Sequence, residues 1–217
     1  MAQSDRYNRV IGQLQKLPLL VLGIIWLVGA VCDRIWFTLD RAVPAWDQAD
    51  YLTGSLNYWQ ALQNPEWFSS EWWTHFWQLS TKIPPLTYIA TAIVQNIFGP
   101  GPDQATLINL FFSTILLISV YGLGEKLFDR RVGLWAAGLC QILPALYRYR
   151  LDFLLDYPLT AAVTFSFYGL TLWKLNSETE NPPKRSHSWL LAAAFGLSFG
   201  LALMVKQTAL MFLLIPI

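Results

Sequence analysis

The fold class is decided by residues 18–37, PLLVLGIIWLVGAVCDRIWF, a nearly continuous apolar run close to the amino terminus. At about 1.5 Å per residue, a helix of this length rises about 30 Å, the thickness of the hydrocarbon core of a bilayer. Arg6, Arg9 and Lys16 precede the run and favour a cytoplasmic amino terminus. The run is too long for a signal peptide and no small-residue cleavage pattern closes it, so it predicts a retained membrane anchor.

The composition of the whole chain agrees with a membrane protein. Of 217 residues, 54% are hydrophobic and 13% are charged, and the mean hydropathy is +0.37, far from the values of a soluble domain. The net charge of +1 says nothing about nucleic acid, but the chain has no basic, aromatic-interleaved soluble patch, so we predict no nucleic-acid partner. Cys32 and Cys140 lie in apolar runs, so we predict that both are small core residues rather than a disulfide or metal-binding pair.

Further apolar runs predict four more membrane-spanning helices, at residues 105–124, 132–147, 157–173 and 189–205. A polar linker at 176–188 separates the last two. The predicted fold is therefore an all-α, polytopic transmembrane bundle. We expect a single membrane domain over 1–217, with a first outer loop at 39–82. The apolar sequence from 208 to 217 has no flanking charge, which predicts a polypeptide cut inside a helix.

The run at 84–99 is short, and charge placement predicts its topology. The amino terminus, the turn at 126–131 and the linker at 174–185 hold nine of the fifteen Lys and Arg residues, which favours a cytoplasmic location for all three segments. That arrangement requires 84–99 to be a re-entrant or interfacial helix that does not complete a crossing. If it did cross, the acidic first loop and the charges after residue 147 would lie on opposite sides.

On the predicted topology, one outer face gathers four acids and four cations: Asp47, Asp50, Asp152, Asp156, Lys82, Arg148, Arg150 and Lys206. Charges within a bilayer are costly, so such groups face a cavity or an interface. An acid supplies a general base or a metal ligand, and a cation stabilises a leaving phosphate. The combination suits attack on a lipid-linked phosphoester. The alternatives are a solvated acidic loop for the acids and snorkelling or anchoring at the ends of spans for the cations.

Four stretches carry a family resemblance: WDQADY at 46–51, KIPPLTY at 82–88, LDYPLT at 155–160 and GLALMVK at 200–206. In this order and spacing the chain resembles the amino-terminal part of a GT-C type integral-membrane glycosyltransferase. More narrowly, it is similar to the protein O-mannosyltransferase and aminoarabinose (lipid A) transferase group, which uses polyprenyl-phosphate sugars. The resemblance implies a helical bundle with interfacial amphipathic helices in the first outer loop, and the tryptophans of 59–77 suit that position. The alternative for these tryptophans is a plain aromatic belt without a substrate role.

The resemblance also implies roles for individual residues. Asp47 corresponds to the essential first-loop acid at the acceptor nucleophile, and Asp156 to a second acid on the same cavity. Lys82 and Lys206 correspond to basic residues that bind the lipid phosphate. Two departures remove carboxylates, because Gln48 and Thr81 stand where relatives carry acids. We therefore predict no bound metal, although the need for a divalent ion is left open.

The predicted function is inverting transfer of a sugar from a polyprenyl-phosphate donor to an acceptor hydroxyl. The site would lie at the outer, periplasmic face of the plasma (inner) membrane. Arg148 and Arg150 would assist in binding the phosphate, and Asp50, Tyr51 and Asp152 would lie on the acceptor side. The acceptor itself, whether protein, lipid or glycan, leaves no trace in the sequence. Two other classes stay open, a non-catalytic membrane protein that binds lipid phosphate and, less favoured, a transporter. His75 is interpreted as structural.

Overall fold

The computed structural model describes residues 2–177 and 185–214, and within these ranges the chain is helical and contains no strand. This confirms the predicted all-α class. The helices in chain order are α1 (Ala2–Leu39), α2 (Asp47–Ala61), α3 (Ser70–Gln78), α4 (Leu86–Phe98), α5 (Pro102–Ala105), α6 (Ile108–Leu127), α7 (Arg130–Ile142), α8 (Pro144–Leu151), α9 (Asp156–Ser177), α10 (Arg185–Val205) and α11 (Ala209–Leu213). Most of the predicted polar linker and the last three residues lie outside the described residues.

Three helical segments of the described chain are long and apolar enough to cross a membrane: Leu17–Leu39, Pro102–Leu127 and Ser188–Val205. They correspond to the predicted spans at 18–37, 105–124 and 189–205. The outward faces of the first and third are largely unpacked, since only 17% of each apolar window is buried within the protein. An apolar surface of this extent on a helix suits contact with lipid.

The predicted span at 132–147 is wrong as a single helix, because the chain breaks at Pro144. Helix α7 ends at Ile142, and Leu143 adopts an extended conformation (φ −61°, ψ 120°) before Pro144 begins α8. A proline ring disfavours helical geometry in the preceding residue and lacks an N–H group to continue the ladder of hydrogen bonds. The chain therefore turns here, and α8 forms a short helix of 8 residues.

The predicted span at 157–173 is one continuous helix of 22 residues, α9, although its hydropathy leaves it outside the three apolar segments. Its hydroxyl groups are satisfied within the helix. Thr160 Oγ1 donates to the carbonyl of Asp156 at 2.8 Å, and Thr164 Oγ1 donates to the carbonyl of Thr160 at 2.7 Å. Such bonds to the preceding turn lower the cost of placing hydroxyls in an apolar environment. A crossing by α9 stays a prediction.

Contacts between the long helices show which of their ends lie at the same end of the bundle. Trp26 of α1 donates to the carbonyl of Leu110 at 3.2 Å, and Arg34 donates to Thr106 Oγ1 at 3.2 Å, so α1 runs antiparallel to α6. Gly124 of α6 approaches α7 at Gly133, and Lys206 at the end of α10 meets Asp156 at the start of α9. One end of the bundle, here called the upper end, therefore contains the end of α1, the starts of α6 and α9, and the ends of α7 and α10.

Helix α4 begins and finishes at the upper end. Leu86 at its start packs against an apolar cluster that includes Leu159 at the start of α9 and Val205 at the end of α10. Its other end leads through Gly99 into α5, where the carbonyl of Asp103 accepts a hydrogen bond from Arg34 of α1 at 3.3 Å. Its 13 residues rise about 20 Å, less than the hydrocarbon thickness. This is the geometry expected of a helix that does not complete a crossing.

The close approach of α6 and α7 leads to a stability prediction. A Cβ atom added to Gly133 would lie 2.6 Å from the carbonyl oxygen of Tyr121, whereas one added to Gly138 of the same helix would lie 4.0 Å from Ile25 Cδ1. We expect Gly133→Ala to lower the free energy of unfolding by about 1–3 kcal/mol, because α6 and α7 must separate. Gly138→Ala is the matched control and should be neutral or stabilising. Thermal unfolding in detergent measures both, and equal melting temperatures for the two variants would contradict the packing.

Candidate functional site

The acidic motif of the first loop forms the start of α2. Asp47 is the first residue of the helix, and Asp50 lies in the same first turn. Both side chains are exposed, and the partial positive charge of a helix amino terminus favours carboxylates there. Trp46, which precedes them, has φ 52° and ψ −131° and is 94% exposed. A bulky residue in this left-handed region is uncommon and costs on the order of 1–3 kcal/mol, a strain that is frequent at functional sites.

Tyr51 links the first loop to the upper end of the bundle. Its side chain is only 7% exposed, and its ring lies 6.4 Å from that of Tyr88 on α4, centroid to centroid. Burial is the main cause that raises the pKa of Tyr51 above its ordinary value. The other contributions, largest first, come from Asp47, which raises it, Lys206, which lowers it, and then Asp156 and Asp50, which raise it. The structure thus brings these four charged groups within electrostatic reach of one tyrosine.

Asp156 and Lys206 form a direct ion pair. Lys206 Nζ donates to Asp156 Oδ1 at 2.9 Å, across the contact between the start of α9 and the end of α10. Their side chains are 27% and 41% exposed, for the lysine and the aspartate respectively. The lysine is therefore half-buried and oriented, yet open on one side. This is the arrangement of a cation that is held in place and can still contact a ligand.

Lys82 has a looser arrangement. Its Nζ lies 3.9 Å from Asp50 Oδ2, and both side chains are largely exposed. A surface pair of this kind is worth only about 0–1 kcal/mol, so Lys82 is free to turn toward an anion. Beside it lies a polar cavity of about 170 Å³ between α2 and the loop before α4. Its walls are formed by Asp50, Thr53, Gly54, Asn57, Leu79, Ser80, Thr81, Lys82, Ile83 and Tyr88.

Arg148 and Asp152 pair with each other at 3.5 Å, one helical turn apart, and Arg148 is exposed. Arg150, by contrast, is turned into the protein. It is 3% exposed, and its Nε lies 2.8 Å from Asp33 Oδ2 while Nη2 donates to Asp33 Oδ1 at 2.9 Å. Its guanidinium also donates to Gln141 Oε1. Of the cations expected at the phosphate, Arg150 is thus occupied by an internal carboxylate.

Asp33 is the group that the sequence analysis did not single out. It is 2% exposed and lies within the first apolar span, in the part of α1 near the upper end. The sequence does contain a signal for Asp33, because an ionisable residue inside a membrane-spanning run usually has a functional role or a charged partner. Its partner could not be identified from the sequence, because 117 residues separate Asp33 from Arg150.

The remaining predicted features are placed as follows. His75 is an exposed residue of α3. Within the described residues, no three His, Cys, Asp or Glu side chains cluster closely enough to hold a metal ion. Cys32 and Cys140 are free thiols, but Cys32 is exposed rather than in the core, because its face of α1 is not covered by protein.

The tryptophans of the first loop form a continuous aromatic cluster on and before α3. Trp72 stacks on Phe76 with ring centroids 4.8 Å apart, and Trp67 packs edge-on against Trp72 at 5.3 Å. Trp67, Trp73 and Trp77 remain 52%, 37% and 50% exposed. Partly exposed tryptophans at the upper end suit the headgroup layer, so the interfacial position of α3 stays our interpretation.

These features define a class, a multi-helix integral membrane protein in which one group of ionisable side chains, including the Asp156–Lys206 pair, gathers at one end of the bundle. Residues 82–217, well over half of the chain, match the family described as dolichyl-phosphate-mannose-protein mannosyltransferase, and the chain belongs to this family. Membership makes it one of the glycosyltransferases that use a polyprenyl-phosphate sugar. The matched part contains Lys82, Asp156 and Lys206 and begins after Asp47. No curated protein and no solved structure matches the chain.

Proposed function

We propose that this chain transfers a sugar from a polyprenyl monophosphate to an acceptor hydroxyl by direct displacement, with inversion at the anomeric carbon. The observation that carries the proposal is the Asp156–Lys206 ion pair, which lies within electrostatic reach of Tyr51 together with Asp47. Asp47 as an acid and Lys206 as an oriented cation, both near Tyr51, supply the two charges that such a displacement needs. The family supplies the donor class.

In the proposed step, Asp47 accepts the proton of the acceptor hydroxyl as its oxygen attacks the anomeric carbon. The bond from that carbon to the phosphate oxygen breaks, and its electron pair stays on the departing polyprenyl phosphate. The growing negative charge is stabilised by Lys206, because an oriented cation lowers the barrier most where charge develops in the transition state. Asp50 and Tyr51, on the same helix as Asp47, would contact the acceptor.

The other charged residues take supporting roles in this proposal. Asp156 holds the Lys206 ammonium in place, and Lys82, which is free to reorient, provides a second contact for the phosphate. Arg148 on α8 and Asp152 directly after it lie at the same end and would contact the headgroup region or the acceptor. Arg150 is assigned no contact with the phosphate, since its guanidinium is paired with Asp33.

We further propose that the upper end lies at the outer face of the plasma membrane. Lys126 at the end of α6 and Arg130 and Arg131 at the start of α7 flank the turn between these helices, at the opposite end of the bundle. Basic residues in short turns favour the cytoplasmic side, which places Asp47, Asp156 and their neighbours outside. The described helices form a contiguous set of contacts, in keeping with one membrane domain.

Removal of the Lys206 charge gives a direct test of the phosphate contact. We expect Lys206→Met to lower kcat/KM for the donor about 10²–10³-fold, the usual loss for one oriented group that stabilises a developing charge. Lys126→Met is the matched control, because Lys126 is an exposed lysine at the opposite end. Equal rates of polyprenyl phosphate release for the two variants would remove Lys206 from the site.

A non-catalytic protein that binds lipid phosphate is the second candidate. The observation that favours it is the replacement of two carboxylates by Gln48 and Thr81, which leaves fewer acids near the lysines. Such a protein would bind a polyprenyl-phosphate sugar through Lys82 and Lys206 and return it unchanged. Incubation of the bound donor over many hours, followed by analysis of the lipid, separates storage from turnover.

A further inference from the structure

A buried polar cluster lies directly beside Asp156 and contacts the chain on both sides of it. The cluster consists of Asp33, Ser113, Gln141, Arg150 and Tyr157, from five different helices. Each of these side chains is less than 9% exposed. Buried ionic and polar groups are costly in an apolar environment, and one attested use of them is to fix a single arrangement of helices.

On the amino-terminal side of Asp156, the cluster fixes Arg150. The guanidinium contacts Asp33 of α1 at 2.8 and 2.9 Å and also donates to Gln141 of α7. The main-chain carbonyl of the same residue accepts a hydrogen bond from Asn109 of α6 at 2.9 Å. Arg150 therefore holds the end of α8 against α1, α6 and α7 at once.

On the carboxyl-terminal side, Tyr157 is held by burial: it is 2% exposed and belongs to the same core cluster as Phe153 and Leu155. On the neighbouring helices, Ser113 Oγ accepts from Gln141 Nε2 at 3.2 Å. Gln141 in turn accepts from Arg150, so Arg150, Gln141 and Ser113 belong to one network. The short connection between Arg150 and Tyr157 is buried at Phe153 and Leu155, which are 2% and 1% exposed.

We propose that the Asp33–Arg150 pair positions Asp156, and through it Lys206, for the transfer reaction. Asp156 itself points out of the cluster to Lys206, at 2.9 Å, while Arg150 before it is hydrogen-bonded into the buried network and Tyr157 after it is buried in the core. Loss of the pair would release the end of α8 and let the Asp156 carboxylate move away from its lysine. This inference rests on the proposed function for its kinetic consequence, but its geometric consequence is independent of any reaction.

The kinetic test uses a double variant, Asp33→Leu with Arg150→Met, which removes both charges together and avoids an unpaired buried charge. We expect this variant to unfold near the wild-type temperature but to show kcat lowered about 10–100-fold, because a displacement of about 1 Å at a reacting group costs that much. The matched control removes the Glu125–Arg130 pair at the opposite end, whose charged atoms are 2.8 Å apart. A wild-type kcat in the first double variant overturns the proposal.

A second kinetic comparison separates positioning through Asp156 from general loosening. In an Asp156→Asn background, removal of the Asp33–Arg150 pair should cause no further loss of kcat, because the group that it positions is already gone. Losses that multiply in the combined variant would show that the pair acts by another route and would overturn the proposal.

The geometric test needs no activity. The contact with Asp156 shields the Lys206 amine, so we expect the Asp33→Leu, Arg150→Met variant in nanodiscs to be acylated at Lys206 several-fold faster by an N-hydroxysuccinimide ester. The rate, measured by mass spectrometry, should approach that of Asp156→Asn, while the Glu125 and Arg130 control stays at the wild-type rate. An unchanged rate overturns the positioning role. Faster acylation in a chain without transfer activity would support the geometry and count against the proposed function alone.

Discussion

Replacement of Asp47 by asparagine should lower kcat for sugar transfer by roughly 10²–10⁴-fold, the range associated with loss of a general base. Asparagine keeps the shape of the side chain but cannot take the proton of the acceptor hydroxyl. The start of α2 should tolerate the change, because asparagine is accepted at helix amino termini and Asp47 is exposed. We expect KM for the donor to change little, since we propose that the donor phosphate binds at Lys206.

Glu71→Gln is the matched control for this experiment. Glu71 is also an exposed acid in the first turn of a helix of the same loop, α3, but no contact places it near Tyr51. Initial rates with saturating donor measure both variants, and circular dichroism checks that both remain helical. An Asp47→Asn enzyme that transfers sugar as fast as the Glu71→Gln enzyme would remove Asp47 from the catalytic role.

The second large effect concerns stability. Replacement of Arg150 alone by methionine should lower the free energy of unfolding by about 3–5 kcal/mol, because it leaves the Asp33 carboxylate buried without its partner. For a chain of this size that loss corresponds to a fall in melting temperature of about 6–20 °C. Asp33→Leu alone should have a similar effect, while the two changes together should recover most of the loss.

Thermal unfolding of the four proteins in the same detergent forms a double-mutant cycle that isolates the interaction. Arg148→Met provides the comparison for a nearby exposed arginine, whose pair with Asp152 is worth at most about 1 kcal/mol. A fall in melting temperature for Arg150→Met no larger than that for Arg148→Met would show that the buried pair does not hold the helices together.

Much of the fold could be predicted because a membrane-spanning helix is determined by the residues of its own segment. An uninterrupted apolar run of about twenty residues has few structural options, and residues 18–37 form part of one long helix as expected. The helix break before Pro144 is likewise determined by a local feature of the sequence, the proline itself. It was missed because the apolar character of 132–147 was given more weight than the backbone geometry that a proline imposes on Leu143.

The candidate site was predictable only in part, because it depends on which distant residues meet. Charge placement along the chain predicted that Asp156 and Lys206 would share one face, and the two side chains form an ion pair. The same reasoning treated Arg150 as equivalent to Arg148. The sequence does not reveal which of the two arginines of α8 points into the bundle. The choice depends on how α8 is rotated against α1 and on the position of the Asp33 carboxylate.

In the reaction that we propose, this chain transfers a sugar from a polyprenyl phosphate with Asp47 as the base. The most direct measurement reconstitutes the protein in nanodiscs with polyprenyl-phosphate mannose labelled in the sugar, adds membrane extract as the acceptor source, and follows release of free polyprenyl phosphate. We expect release by the wild-type chain, at least 100-fold slower release by Asp47→Asn, and inversion at the anomeric carbon of the product. Equal release by both proteins, or donor that binds and is recovered unchanged, would contradict this proposal.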